Sequence, residues 1–367
     1  MIVAVPKEIM DGETRVALIP AVAADLIKKD MVVNIEKGAG EKASITDEAF
    51  KNAGVNIVSD KKKLFGDADV ILKINKPSEE EVKLMKAGTV LICLLWSLQN
   101  KDLVELLKKQ KVTALGLEAL PRISRAQKMD VLSSMSSIAG YKAVLIAANS
   151  LGKYLPMLMT AAGTIAPSKV LILGAGVAGL QAIATAKRLG AVVEAFDVRP
   201  AVKEQVESLG AKFVEVPLEE SDTETSGGYA KELTEKAKQK QREVIHDKVR
   251  ASDIVITTAL IPGKPAPELI TAEMVEDMKT GSVIVDLAAE QGGNCALTKP
   301  DQTYVHKGVK IHGPLNLAAT LPVHASQLFA KNVTAVLLHL IKDDKLEFDF
   351  EDEITKNTTI THNGELV

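Results

Sequence analysis

The sequence predicts an α/β protein made of two doubly wound domains with parallel sheets, separated by a cleft. Short apolar runs alternate with helical stretches in both halves of the chain, the pattern of strand–helix–strand units. Its 367 residues are enough for two domains of ordinary size. Hydrophobic residues make up 46% of the chain and aromatics only 3%, so Val, Ile, Leu and Ala must form the core, as in parallel sheets covered on both faces.

In the first half, strands are expected at 2–5, 32–35, 55–58, 70–74, 90–94 and 112–115, with helices between them at 21–29, 47–53, 79–86 and 102–109. Gly38-Ala39-Gly40 reads as a plain turn, because no third glycine follows it. A breaker-poor segment, 130–151, is expected to be a helix linking the domains. Strands then recur at 169–173, 192–196, 212–215, 253–257, 282–286 and near 303–312. A helix over about 324–341 is expected to cross back to the first domain. The domains are therefore expected at 1–129 plus 322–367 and at 152–321, with the cleft between them as the default site.

Composition narrows the function. A net charge of −3 offers no basic field for nucleic acid. Cys93 and Cys295 lack metal-ligand spacing and read as reduced thiols; no metal site is expected. The N-terminal Met-Ile-Val-Ala-Val-Pro-Lys-Glu reads as strand and loop, without a signal-peptide pattern. The apolar stretches 89–98 and 333–341 are about half a membrane span, so no bilayer crossing is expected. Histidines come late, the first being His246. Neither a nucleophilic triad nor a zinc-binding pattern is present, which leaves nucleophilic and zinc chemistry unsupported.

The most informative stretch is 169–199. An apolar run ends at Leu173 and feeds Gly174-Ala175-Gly176-Val177-Ala178-Gly179, then an Ala-rich helical segment reaches Gly190. A second apolar run closes at Asp197, 23 residues beyond Gly174. Gly174 permits the tight turn, Gly176 lets a pyrophosphate approach the backbone, and Gly179 lets helix and strand pack closely. The helix N-terminus supplies N–H groups and a positive dipole end. Asp197 can accept both hydroxyls of a ribose and would repel a 2′-phosphate, which favours NAD(H) over NADP(H). Arg199 reads as a solvated or adenine-side arginine. Together these features predict a dinucleotide-binding, Rossmann-like second domain.

Two further regions draw notice. Residues 219–228 are polar and breaker-rich, and a highly charged helix is expected over 229–250 as a solvated insertion. Gly227-Gly228-Tyr229 places one of only four tyrosines at a loop tip, where a mobile flap could lay an aromatic on the cofactor. The second region, Pro121 to Ser134, gathers Arg122, Gln127, Asp130 and Ser133 where a strand ends and the long helix begins. The last three are spaced i, i+3, i+6 and are expected to share one helical face. Capping is the commoner role for Asp130 and Ser133 there, and a nicotinamide-amide clamp is the functional one.

Val5-Pro6-Lys7-Glu8 with Gly12-Glu13-Thr14-Arg15-Val16-Ala17 and Pro20 resembles the signature shared by alanine dehydrogenase and the NAD-binding component of proton-translocating NAD(P) transhydrogenase. The 174–190 region resembles their second shared signature. The stretches 122–130, 227–232, 257–267 and 292–295 resemble the transhydrogenase branch, and Ile19 departs from the Ser or Thr usual before the proline. The resemblance covers essentially the whole chain. It implies a peripheral, homodimeric NAD(H)-binding component, on the cytoplasmic face of the membrane or on the mitochondrial matrix side. Its partners would be a separate NADP(H)-binding domain and membrane-spanning subunits.

By position, the resemblance also implies that Arg122, Gln127, Asp130 and Ser133 orient the nicotinamide and that Tyr229 sits on a closing loop. Gly174, Gly176, Val177, Ala178, Gly179, Asp197, Val198, Arg199, Thr258, Ala259 and Leu260 complete the expected cofactor contacts. The alternative is an alanine dehydrogenase-like enzyme, which needs acid–base groups. Arg15 and Lys73 match that family's substrate-carboxylate binders, but Trp96 and Glu290 stand where it has His and Asp. Trp96 reads as a core or interface aromatic.

Overall fold

The computed structural model describes residues 1–216, 235–261 and 264–367, without the side chains of 235–237. It forms two compact units, Met1–Met135 with Ala318–Val367, and Ser136–Leu317. The chain opens β1 (Ile2–Val5), α1 (Pro20–Ile27), β2 (Val32–Glu36), α2 (Asp47–Asn52), β3 (Asn56–Val58), α3 (Lys61–Asp67), β4 (Val70–Asn75), α4 (Glu79–Leu84), β5 (Val90–Leu94), α5 (Lys101–Lys109) and β6 (Thr113–Gly116). After α6 (Val131–Ser150) come β7 (Leu158–Thr160), β8 (Gly163–Ile165), β9 (Lys169–Leu173), α7 (Val177–Arg188), β10 (Val192–Phe196), α8 (Lys203–Ser208) and β11 (Lys212–Phe213). Then follow α9 (Glu235–Ala251), β12 (Ile254–Thr257), α10 (Ala272–Glu276), β13 (Val283–Asp286), β14 (Thr303–His306) and β15 (Val309–His312). The C-terminal region holds α11 (Pro322–His339), β16 (Ile341–Lys342), β17 (Lys345–Leu346), α12 (Glu353–Thr358), β18 (Thr359–His362) and β19 (Glu365–Leu366).

The sheet of the first unit runs β19-β18-β6-β5-β4-β1-β2-β3. Strands β1 to β6 are mutually parallel, and the C-terminal hairpin adds two antiparallel strands at one edge. That hairpin was not expected. Asn363-Gly364, with φ of 50° and 87°, is its turn, and the Asn-Gly pair is the signal that could have revealed it. Helix α3 was also missed, because its lysine-rich start masks the pattern; Asp60 caps it through the N–H groups of Lys62 and Lys63.

In the second unit the order is β11-β10-β9-β12-β13-β15-β14. All pairs are parallel except the edge pair β14–β15. The stretch near 303–312 is thus two strands, reversed at Lys307-Gly308 with φ of 45° and 82°. Helix α6, at 20 residues, is long and apolar enough to resemble a membrane span. Serines interrupt its apolar character, so no continuous run marks it in the sequence. Its Ala143, Val144 and Ala147 pack with Ile172, Ala182 and Ile183 in the core of the second unit, which accounts for its composition.

Candidate functional site

Connectivity places the crevice of the second unit. From β9 the chain moves to β10 and β11 on one side, then to β12 and β13 on the other. The carboxyl ends of β9 and β12 therefore flank a topological switch point, where open α/β sheets bind ligands. The three glycines have the geometry their spacing implies. Gly174 has a φ of +103°, and a Cβ there would lie 2.5 Å from Thr258 Oγ1. A Cβ on Gly179 would lie 1.9 Å from the Gly174 carbonyl oxygen, so helix and turn touch backbone to backbone. A Cβ on Gly176 would meet nothing within 4 Å, which leaves its peptide open to an approaching group.

Gly176 is the N-cap of α7; no side chain caps the helix and its first turn carries no acidic residue. The first N–H groups thus lack a helical partner and suit an anion. Exposed Val177 and half-buried Ala178 begin that turn. Sequence reasoning missed Gly140 on α6, whose Cβ would lie 2.0 Å from the Ala178 carbonyl oxygen. A glycine inside a breaker-poor helix was the available signal.

Asp197 follows β10 and its side chain is nearly buried. The N–H of Ala175 donates to its Oδ2 at 2.7 Å, tying it to the glycine turn. Arg199 is exposed, as a solvated arginine should be, but its side chain folds back onto Asp197. Its Nε and Nη2 donate to Oδ1 and Oδ2 of Asp197 at 2.9 and 3.0 Å, and its backbone N–H adds a bond of 2.9 Å. Two residues of separation let the guanidinium fold back as a fork onto the carboxylate. Burial raises the Asp197 carboxyl, but the bonds from Arg199 and Ala175 outweigh it and hold it below its ordinary value. Ribose hydroxyls would compete with Arg199 for these oxygens. Val198, between them, is exposed.

Across the switch point, Thr258 Oγ1 donates to the Gly174 carbonyl at 3.0 Å. Ala259 is gripped at both backbone atoms: its N–H donates to Asn294 Oδ1 at 3.0 Å, and Asn294 Nδ2 donates to its carbonyl at 2.9 Å. Leu260 is exposed. Sequence reasoning missed Asn294, along with the buried Asp286 at the end of β13, which accepts the Asn294 N–H at 2.8 Å. The Gly292-Gly293 pair was the signal: Gly293 has a φ of +87°, and its Cβ would lie 2.8 Å from Asp286 Oδ2.

In the first unit, Gln127, Asp130 and Ser133 do not share a helical face. Residues Ser124–Met129 form a 3₁₀ helix that ends at extended Asp130, and α6 starts afresh at Val131. Asp130 takes the capping role, accepting from the Ser133 N–H at 2.8 Å and the Ser133 hydroxyl at 2.6 Å. Buried Ala126 and Met129 anchor the turn, Asn332 Nδ2 donates to the Lys128 carbonyl at 2.8 Å, and Arg125 pairs with Asp352 at 2.9 Å. Arg122 and Gln127 are exposed, and neither side chain makes a hydrogen bond among the described residues. Tyr229 and the 219–228 loop lie outside the described residues.

The groups an amino-acid dehydrogenase would use lie in differing surroundings, and the buried Lys73 Nζ makes no hydrogen bond among the described residues. Arg15 is buried, with its Nε and Nη2 on Glu13 at 2.8 and 2.6 Å. Burial raises the Glu13 carboxyl, but the bonds from Arg15 and Asn75 bring it down to about 2. Lys73, fully buried on β4, lies 3.7 Å from Glu8 and 3.5 Å from Glu81. Glu290 accepts the N–H of Asn316 at 2.9 Å. Trp96 is 40% exposed with a φ of +50°, so it is not a core residue.

A glycine-built turn at a switch point, tied to a carboxylate that closes the next strand, marks a dinucleotide-fold α/β protein of the dehydrogenase kind. The open Gly176 peptide fits a pyrophosphate. The chain belongs to the alanine dehydrogenase/PNT family: the N-terminal domain matches residues 4–139 and the C-terminal domain residues 143–367. It is 52% identical to an NAD(P) transhydrogenase subunit alpha polypeptide of Rhodospirillum rubrum, over 100% of this chain and 98% of that one. It is 34% identical to alanine dehydrogenase of Bacillus subtilis, over 91% of this chain and 84% of the relative. A solved transhydrogenase from Sinorhizobium meliloti superposes with a TM-score of 0.91 at 42% identity, covering all of both chains.

Proposed function

We propose that the chain is the NAD(H)-binding component of a proton-translocating transhydrogenase, exchanging hydride directly with NADP(H) on a partner domain. The observation that carries this reading is the dinucleotide turn at 174–179 in a chain where Trp96 replaces the expected acid–base histidine and Glu290 is committed to the Asn316 backbone. Bound NADH would supply a hydride from its nicotinamide, and no proton moves in that step. The protein's task is therefore to position and to exclude water, which is worth about 7–11 kcal/mol of barrier in good cases.

In this reading Gly174, Gly176, Val177, Ala178 and Gly179 bind the pyrophosphate, while Asp197, Val198 and Arg199 hold the adenosine side. Thr258, Ala259 and Leu260 line the other half of the crevice. Arg122, Gln127, Asp130 and Ser133 orient the nicotinamide amide, and Tyr229 closes over the site. Transfer is of the Si/Re-specific type. Coupling to proton movement belongs to membrane subunits, with this chain peripheral, on the cytoplasmic or matrix side. A homodimer is supported by exposed Met157, Met159 and Ile165 on and beside the β7–β8 hairpin, an apolar surface that a second copy would cover.

The test mixes the purified chain with NADH and a transhydrogenase NADP(H)-binding domain carrying NADP⁺. Hydride transfer only with that domain present is the expected result. Reduction of pyruvate with ammonia by the chain alone would instead establish the amino-acid dehydrogenase alternative.

A further inference from the structure

We propose that Asn294 is a positioning residue that sets the wall of the nicotinamide half of the dinucleotide crevice; this rests on the dinucleotide reading above. Asn294 is fully buried, and every polar atom of its amide is engaged. Its Oδ1 accepts from Ala259 N–H at 3.0 Å, and its Nδ2 donates to the carbonyls of Ala259 at 2.9 Å and Pro267 at 2.8 Å. One side chain thus pins both ends of the segment between Ala259 and Pro267. It also engages both backbone polar groups of Ala259, leaving that residue its methyl group and the second lone pair of its carbonyl for a ligand.

Asn294 is itself held in place. Its carbonyl accepts from the N–H groups of Leu269 and Ile270 at 2.8 and 3.0 Å. Behind it, Asp286 accepts from the N–H groups of Asn294 and Cys295 at 2.8 and 3.1 Å and from the hydroxyl of Thr298 at 2.6 Å. The other oxygen of Asp286 accepts from Thr257 Oγ1 at 2.8 Å, at the end of the neighbouring strand. A continuous hydrogen-bonded path therefore runs from β13 through Asn294 to Ala259, and the adjoining Thr258 rests its hydroxyl on the Gly174 carbonyl. No member of this path is left for chemistry. Its effect is to fix the distance between the Thr258–Leu260 wall and the glycine turn.

In a doubly wound sheet each half binds one mononucleotide. Asp197 ends a strand of the first half, and Thr258 follows the first strand of the second. Loosening the wall should therefore weaken whatever sits in the nicotinamide half and spare the adenosine half. Asn294→Asp keeps the shape but turns a donor toward two carbonyls into an acceptor. Asn294→Ser removes the clamp without adding charge and serves if the charged variant does not fold.

The experiment measures the Kd of NADH and of AMP for the wild-type chain and each variant, alongside thermal melting. The expected result is a rise of about tenfold or more in the NADH Kd, in line with losing hydrogen bonds inside a buried site, with the AMP Kd changed by less than about twofold. Equal weakening of both ligands, or no change in either, would overturn the proposal. A wild-type chain that binds no NADH would overturn the dinucleotide reading itself. With the positioning role correct, the Asp variant should also regain NADH affinity as pH falls, because a protonated carboxyl can donate to one of the two carbonyls. The Ser variant should show no such recovery.

Discussion

The glycine turn of the second unit and the 122–133 segment of the first are built on opposite principles. The turn is made of backbone: Gly174, Gly179 and Gly140 are glycines because carbonyl groups or a hydroxyl occupy the space where a Cβ would stand. The 122–133 segment presents side chains. Its buried residues, Ala126 and Met129, only anchor it, while Arg122 and Gln127 point outward without partners among the described residues. A backbone site tolerates almost no substitution and binds groups common to all dinucleotides. A side-chain site tolerates change more readily and determines orientation. Affinity should therefore reside in the first and rate in the second.

Breaking the turn gives the largest expected effect. Gly179→Ala would drive a methyl group to 1.9 Å from the Gly174 carbonyl oxygen, an overpacking cost of about 1–3 kcal/mol or more. NADH binding should be lost and the melting temperature should drop; a variant that melts normally and binds NADH would refute the close-packing account. Asp197→Ala should raise the NADH Kd by about 10–100-fold, the scale of hydrogen bonds to a charged group. It also frees Arg199 for a 2′-phosphate, so NADPH binding should improve relative to NADH, and comparative titration would detect an unchanged ratio. Gln127→Asn, on the other side of the comparison, should slow hydride transfer about tenfold while the NADH Kd stays within about twofold. A large loss of affinity instead would move Gln127 into the binding machinery.

Smaller effects sharpen the contrast. Asp130→Ala removes the cap of α6 and should cost about 1 kcal/mol by denaturant titration. The smallest effect is one of pH. Arg199 and Ala175 hold Asp197 below the ordinary carboxylate value, so it stays ionised well into acid. Its contribution is lost only as pH falls through that lowered value. NADH affinity should therefore be flat from pH 8 to about pH 5.

This difference in construction also explains what the sequence could tell. Glycine spacing, strand order and a terminal carboxylate are local patterns, so the turn and Asp197 were legible from residues alone. The pairing of Arg199 with Asp197 was not legible, because folding back onto the carboxylate depends on a side-chain torsion that spacing does not encode. In the 122–133 segment the i, i+3, i+6 spacing does not carry through Asp130, because an N-cap residue is extended and breaks it. Asn294 lies 35 residues from Ala259, and nothing periodic links them. The edge hairpins were hidden by short strands, although Asn363-Gly364 and Lys307-Gly308 mark both turns.

The most direct test follows the transferred hydrogen. The chain would be loaded with NADH deuterated at the nicotinamide C4 and mixed rapidly with the NADP⁺-bearing partner domain in ordinary water. The account predicts that deuterium appears in NADPH without dilution by solvent, and only when both proteins are present. Deuterium lost to water, or NADH oxidised by the chain alone with a keto acid and ammonia, would contradict it.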